Sequence, residues 1–251
     1  TKKKIKMFNY RFTVGSITVL SAILAALCIF IGVLAVENNF EAFSNPVIAL
    51  QYAKNYNLAY WFLLLDMLGY YLLLLPVIFY LHQQYKYRSP WIALITFSGL
   101  AYVLNGSAGA AMLAAAWPEL MQQYLHQTPA NAETVSIVFS SITLIVTKGI
   151  WNILEMLFAA VWFIGIGTCL IRENKTIGVI AIVTGVSTLL DGIGNLFDLK
   201  VVSEIGLNIY LLLGIAWPLL TGIWLMKKSK PGPVKATEAE LANRELSPSF
   251  T

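Results

Sequence analysis

Charge is scarce in this chain. Asp, Glu, Lys and Arg make up 12% of its 251 residues and hydrophobic residues 58%. A soluble domain carries roughly twice that charge, about 25%. So little charge cannot cover a water-facing surface, which excludes an ordinary soluble fold and leaves lipid as the solvent for much of the exterior. Histidine is almost absent: His82 and His126 fall in opposite loops. That excludes paired axial haem ligands within the membrane and an intramembrane Ser–His dyad. Cys28 and Cys169 sit in separate apolar runs without a CxxC partner, so they form neither a disulfide framework nor a zinc site and read as packing residues. Glycine-rich phosphate loops are missing too. Gly99, Gly106 and Gly109, with Ala108 and Ala111, read as a surface for close helix packing. Asp66 follows Leu65 and Asp191 follows Leu190, so neither stands in an intramembrane aspartyl-protease motif. No Asp-rich pair matches a diphosphate–Mg²⁺ site. No cofactor and no metal are expected.

What is present is a series of long apolar runs. A helix needs about 20 such residues to cross the hydrocarbon core. Six stretches qualify: 15–36, 58–81, 91–117, 136–171, 177–197 and 204–226. The first follows a basic segment but is too long for a signal-peptide core and ends in Glu37 without a small-residue cleavage site, so it reads as a retained span. The fold class expected is all-α, a polytopic bundle of six transmembrane helices. Its parts are a basic N-terminus at 1–14, the membrane domain at 15–226 and a polar tail at 227–251.

Loop charge orients the bundle. Of the 17 Lys and Arg, only Lys54 and Lys200 fall in outer loops if both termini are cytoplasmic. Lys148 lies within the fourth run, and all others fall on the inner side. This matches the positive-inside rule and explains the net charge of +4 without nucleic acid. Asn45-Pro46 reads as the start of a short outer helix, and Trp117-Pro118-Glu119-Leu120 as the start of another. The fourth run is long enough to project beyond the membrane or to bend near Lys148-Gly149. Its Ser136, Ser140, Thr143 and Thr147 form a hydroxyl stripe suited to helix packing. The tail lacks an apolar face and is expected to make little contact with the bundle.

Charged groups inside a span are costly and mark function or buried pairs. Asp66, Lys148, Glu155 and Asp191 are of this kind. Lys148, Asn152 and Glu155 stand at i, i+4 and i+7, and Asp191, Asn195 and Asp198 repeat the pattern, one helix face each. Asn105 lies mid-way along the third span. The ligand-binding candidates are therefore Asp66, Asn105, Lys148, Asn152, Glu155, Asp191 and Asn195, at central or outer depth. Lys148 is expected to reach a carboxylate across the helices, Asp191 first. The set is either an outward-open polar pocket or a packed brace between spans.

Gly165-Ile166-Gly167, Leu170-Ile171-Arg172-Glu173-Asn174-Lys175, Ile177-Gly178-Val179 and Gly185-Val186, with Trp217-Pro218-Leu219 and Gly222-Ile223-Trp224, carry a resemblance. The layout resembles a bacterial family of small six-span membrane proteins known as domain of unknown function four-three-eight-six. The resemblance implies the six-span fold and transfers no catalytic residue. With catalytic motifs missing, the expected role is a non-enzymatic accessory or interaction subunit. Its partners would be the lipid bilayer and a membrane protein met through the tail or span surfaces. The alternative is a small-molecule or lipid-binding protein, as sensor, carrier or enzyme, with a polar pocket in the outer half.

Overall fold

In the computed structural model, residues 2–228 are described, with the backbone alone for 2–9, 129 and 130. The tail expected at 227–251 lies, from residue 229 on, outside the described residues. Those residues contain helices and no strand. Six helical stretches are long and apolar enough to cross a membrane: Tyr10–Ala35, Pro46–Tyr85, Ile92–His126, Asn131–Leu170, Lys175–Leu196 and Lys200–Lys228. The expected all-α six-span bundle is what the chain forms. Helix α1 (Lys2–Ala35) begins within the basic N-terminal segment.

Each span packs on the next in sequence, and the sixth closes back onto the first, making a ring. Small residues let the backbones approach, as membrane helices require when lipid supplies no hydrophobic drive between them. Where α1 meets α9 (Lys200–Lys228), a Cβ on Gly15 would lie 2.8 Å from the Gly222 carbonyl oxygen. The core holds Trp162, Phe163 and Trp217, whose rings meet edge to face at 5.4–6.4 Å for the pairs with Trp217. Gly99, Gly106 and Gly109 do form a packing surface. Their faces meet the rings of Trp162, Tyr71 and Trp151.

Between the first two spans the chain folds into a cap. Glu37 and Asn38 adopt φ of 50° and 66° and turn it out of α1. Lys54 pairs with Glu37 at 2.9 Å, and Asn55 donates to the Ala35 carbonyl and to Glu37. These hydrogen bonds, that from Lys54 first, hold the Glu37 carboxyl below its usual range. The short helix expected at Asn45-Pro46 is present as α2 (Pro46–Ala49), with Asn45 accepting from the Val47 N–H at 3.1 Å. The start expected at Trp117-Pro118 is not. Helix α5 (Ile92–His126) continues through Pro118. Trp117 donates to Thr143 at 2.9 Å and stacks on Phe139, which ties this part of the helix to the fourth span.

Two spans depart from α geometry in mid-membrane. The second runs as α3 (Tyr56–Asp66), a π-helical turn at Met67–Tyr71, a 3₁₀ turn at Leu72–Leu74 and α4 (Leu75–Tyr85). Tyr71 lies outside the helical region, at φ −126° and ψ −78°. The fourth runs as α6 (Pro129–Leu144), a π-helical segment at Ile145–Glu155 and α7 (Met156–Leu170). The change of pitch therefore covers the Lys148-Gly149 region and extends well past it.

Candidate functional site

The two π segments abut two of the three membrane carboxylates among the sequence-based candidates. Asp66 ends α3 as the first π segment begins, and Glu155 closes the second. Such segments are rare and gather at functional sites. Asp191 lies in α8 (Lys175–Leu196), against the backbone of span six at Gly206. Counting along the helices at 1.5 Å per residue, Glu155, Asp191 and Asp66 stand roughly 22–28 Å from the ends of their spans on the face bearing the termini. The three lie within about one helical turn of one another in depth, toward the end of the bundle away from that face.

Glu155 and Asp191 are fully buried. The carboxylate of Glu155 lies within electrostatic reach of Asp66 and Asp191 and near the Tyr71 hydroxyl. Neither of its oxygens makes a hydrogen bond of normal geometry, and Asp66 Oδ2 and Asp191 Oδ2 are also without partners. The other Asp191 oxygen accepts from Asn195 at 2.7 Å, and the same amide donates to the Asp191 carbonyl at 3.0 Å.

Lys148 does not join them. Its side chain is more than half exposed and stands 3.8 Å from Asp198, itself exposed. The expected pairing with Asp191 is thus replaced by a surface pair, for a geometric reason. A π-helix bonds i to i+5 and takes more residues per turn than the 3.6 of an α-helix. Seven residues no longer close two turns, so Lys148 and Glu155 diverge onto different faces. The second repeat fails differently. Asp191 and Asn195 share an α-helical face, but α8 ends at Leu196 and Asp198 turns out at φ 56°. Asn152 is half-buried within the π segment, its backbone toward Gly192. Asn105 donates to the Ala101 carbonyl of its own helix at 2.8 Å and stays apart. Of the seven candidates the structure gathers Asp66, Glu155, Asp191 and Asn195.

Four tyrosines missed by sequence reading complete the surroundings. Tyr70, Tyr71, Tyr102 and Tyr210 are buried. Tyr102 donates to the Tyr70 carbonyl at 2.9 Å, so Tyr210, 2.9 Å from the Tyr102 hydroxyl, must donate to it. Tyr70 in turn donates to the Leu211 carbonyl at 3.0 Å. Ser21 of span one donates to the Gly69 carbonyl. These donors satisfy carbonyls within and beside the irregular stretch of span two, as backbone in lipid demands. The signal was available: tyrosines usually gather at the membrane interfaces, and Tyr70, Tyr71, Tyr102 and Tyr210 stand mid-span.

The three carboxyls do not converge on a point, and among the described residues no group of metal-ligating side chains does. The hydroxyl stripe divides: Thr143 binds Trp117, Thr147 donates to the Thr143 carbonyl, and the buried Ser140 hydroxyl has no partner. No protein-family model, curated protein or solved structure matches the chain.

Proposed function

We propose that this is a proton-linked membrane carrier or sensor whose working groups are Asp66, Glu155 and Asp191. The observation that carries the reading is three neighbouring acids, Glu155 and Asp191 fully buried and Asp66 half-buried, with four carboxylate oxygens that make no hydrogen bond of normal geometry and the nearby lysine turned away to the surface. Charge so buried must be neutralised. Protons serve in the closed arrangement, and a cationic solute or water replaces them when the bundle opens on the side of the cap. The two interrupted spans supply the moving parts. Interrupted helices recur at carrier sites, because backbone freed from the helical ladder can bind or rearrange. A non-enzymatic accessory or interaction subunit is the less favoured reading, because such a role does not call for orphaned acids. No enzymatic role is assigned. The charge distribution supports cytoplasmic termini, which sets the cluster in the outer half, and the layout supports placing the chain beside the six-span family it resembles.

The test is proton release by the full chain in weakly buffered neutral detergent, followed with a pH dye as ammonium, guanidinium or tetramethylammonium is added. At least one probe should release protons saturably, and Asp66→Asn or Glu155→Gln should reduce the release. No release with any of the three, or release unchanged in both variants, contradicts the proposal.

A further inference from the structure

A second polar site lies at the opposite end of the bundle, on the face bearing the termini. Arg11 of α1, Gln84 of α4, Arg88 from the turn that follows, Glu173 from the turn between α7 and α8, and Lys228 at the end of α9 line an open depression of about 380 Å³. Glu173 is its hub. It accepts from Gln84 at 2.8 Å on each oxygen, from Arg88 at 2.9 Å and from Lys228 at 2.8 Å. Three cations against one carboxylate leave a net of two positive charges in the depression.

A closed ion network would have consumed its donors, and among the described residues this one has not. Arginine carries five N–H groups and lysine three, while Arg88 and Lys228 each give one hydrogen bond to Glu173. Arg11 lines the depression beside Tyr80 and gives no hydrogen bond to Glu173. Lys228 is held over the Trp224 ring at 4.6 Å, which fixes its ammonium at the rim. Arginine forks and a lysine point charge around an open hollow suit the oxygens of a phosphate. Basic pockets between helices at a membrane face bind anionic headgroups by this chemistry.

We infer that this depression binds a phosphate group, of an anionic phospholipid or of a soluble phosphate, through Arg11, Arg88 and Lys228. Glu173 spaces these cations and limits the affinity by its own charge. The site is independent of the intramembrane acids.

The test uses the full chain in neutral detergent, titrated with phosphatidylglycerol in mixed micelles, with phosphatidylcholine as the zwitterionic blank. Sodium phosphate is titrated separately at constant ionic strength. Tryptophan fluorescence reads the affinity. Saturable binding of phosphatidylglycerol alone identifies a lipid site, and equal binding of inorganic phosphate a soluble one. Arg11→Gln should weaken binding about fivefold, the worth of one basic residue near an anionic surface. Lys86→Gln, exposed and outside the depression, should not change it. Glu173→Gln should tighten binding, whereas a purely structural network would only lose stability. Failure of both anions to bind above the phosphatidylcholine blank overturns the inference. So does an Arg11→Gln variant that binds as well as the parent, and that arm decides should the Glu173 variant not fold.

Discussion

Replacing Gly69 by alanine tests the packing beneath the acidic cluster, and Gly149→Ala supplies a control of opposite sign. A Cβ on Gly69 would stand 2.8 Å from the Leu24 carbonyl carbon and 2.9 Å from Ala25 Cα, with the Ala25 nitrogen nearer still. Carbon atoms prefer about 3.5–4.0 Å, so the first two spans would have to separate by roughly 1 Å. Every obstructing atom is backbone, and none can swing aside. Overpacking of this kind costs about 1–3 kcal/mol, and the upper end applies here. Displacing the Ser21 hydrogen bond to the Gly69 carbonyl adds about 0.6 kcal/mol, an average for membrane helices. Alanine's better helix propensity returns up to about 1 kcal/mol, leaving a net loss of about 2–3 kcal/mol. At about 2–4 °C per kcal/mol for a chain of this size, the unfolding temperature should fall by roughly 4–12 °C. Gly149 meets nothing within 4 Å, so its alanine variant keeps the propensity gain and should unfold up to about 4 °C higher. Tryptophan fluorescence during heating in detergent measures both. A Gly69→Ala protein as stable as the parent would refute the close approach of spans one and two.

Three further outcomes follow from the geometry. Lys148→Met should change stability by less than about 1 kcal/mol, the range of exposed ion pairs. A loss of about 3–5 kcal/mol, the cost of orphaning a buried partner, would restore a buried pairing for Lys148; Lys148→Met combined with Asp198→Asn in a thermal double-mutant cycle checks this. The carboxyl of Glu173 is raised by burial but lowered more by hydrogen bonds from Lys228 and Gln84, and lies net below the usual 4.5. Its stabilising contribution is therefore complete above that value and is lost as pH falls through the lower folded value. The unfolding temperature of the parent should drop more steeply than that of Glu173→Gln over this acidic range. Cysteines placed near Lys86 and Lys175 should be labelled only from the cytoplasmic side, and those near Lys54 and His126 only from outside; an outside signal at Lys175 would overturn the proposed orientation.

Span number and class were legible because hydrocarbon thickness fixes the length of an apolar run. The acids were legible because a carboxylate is costly in such a run. Their partners were not. Reading Lys148, Asn152 and Glu155 as one face assumed 3.6 residues per turn, and no residue between Ile145 and Glu155 announces a π-helix. Pro118 misled in the other direction: it marked a helix start by sequence, but α5 continues through it, tied to the fourth span by the Trp117–Thr143 hydrogen bond. The phosphate depression was invisible because its five residues come from four separated segments, and only closure of the sixth span onto the first brings Lys228 near Arg11.

The most direct test of the account is the protonation of the acidic cluster itself. Infrared spectra of the full chain in neutral detergent at neutral pH should show a protonated-carboxyl C=O band that shifts in D₂O. The band should lose intensity in Asp66→Asn, Glu155→Gln and Asp191→Asn, each tested alone, and remain in Asp198→Asn. A spectrum without that band, or one in which none of the three variants reduces it, would contradict the reading of Asp66, Glu155 and Asp191 as a proton-holding site.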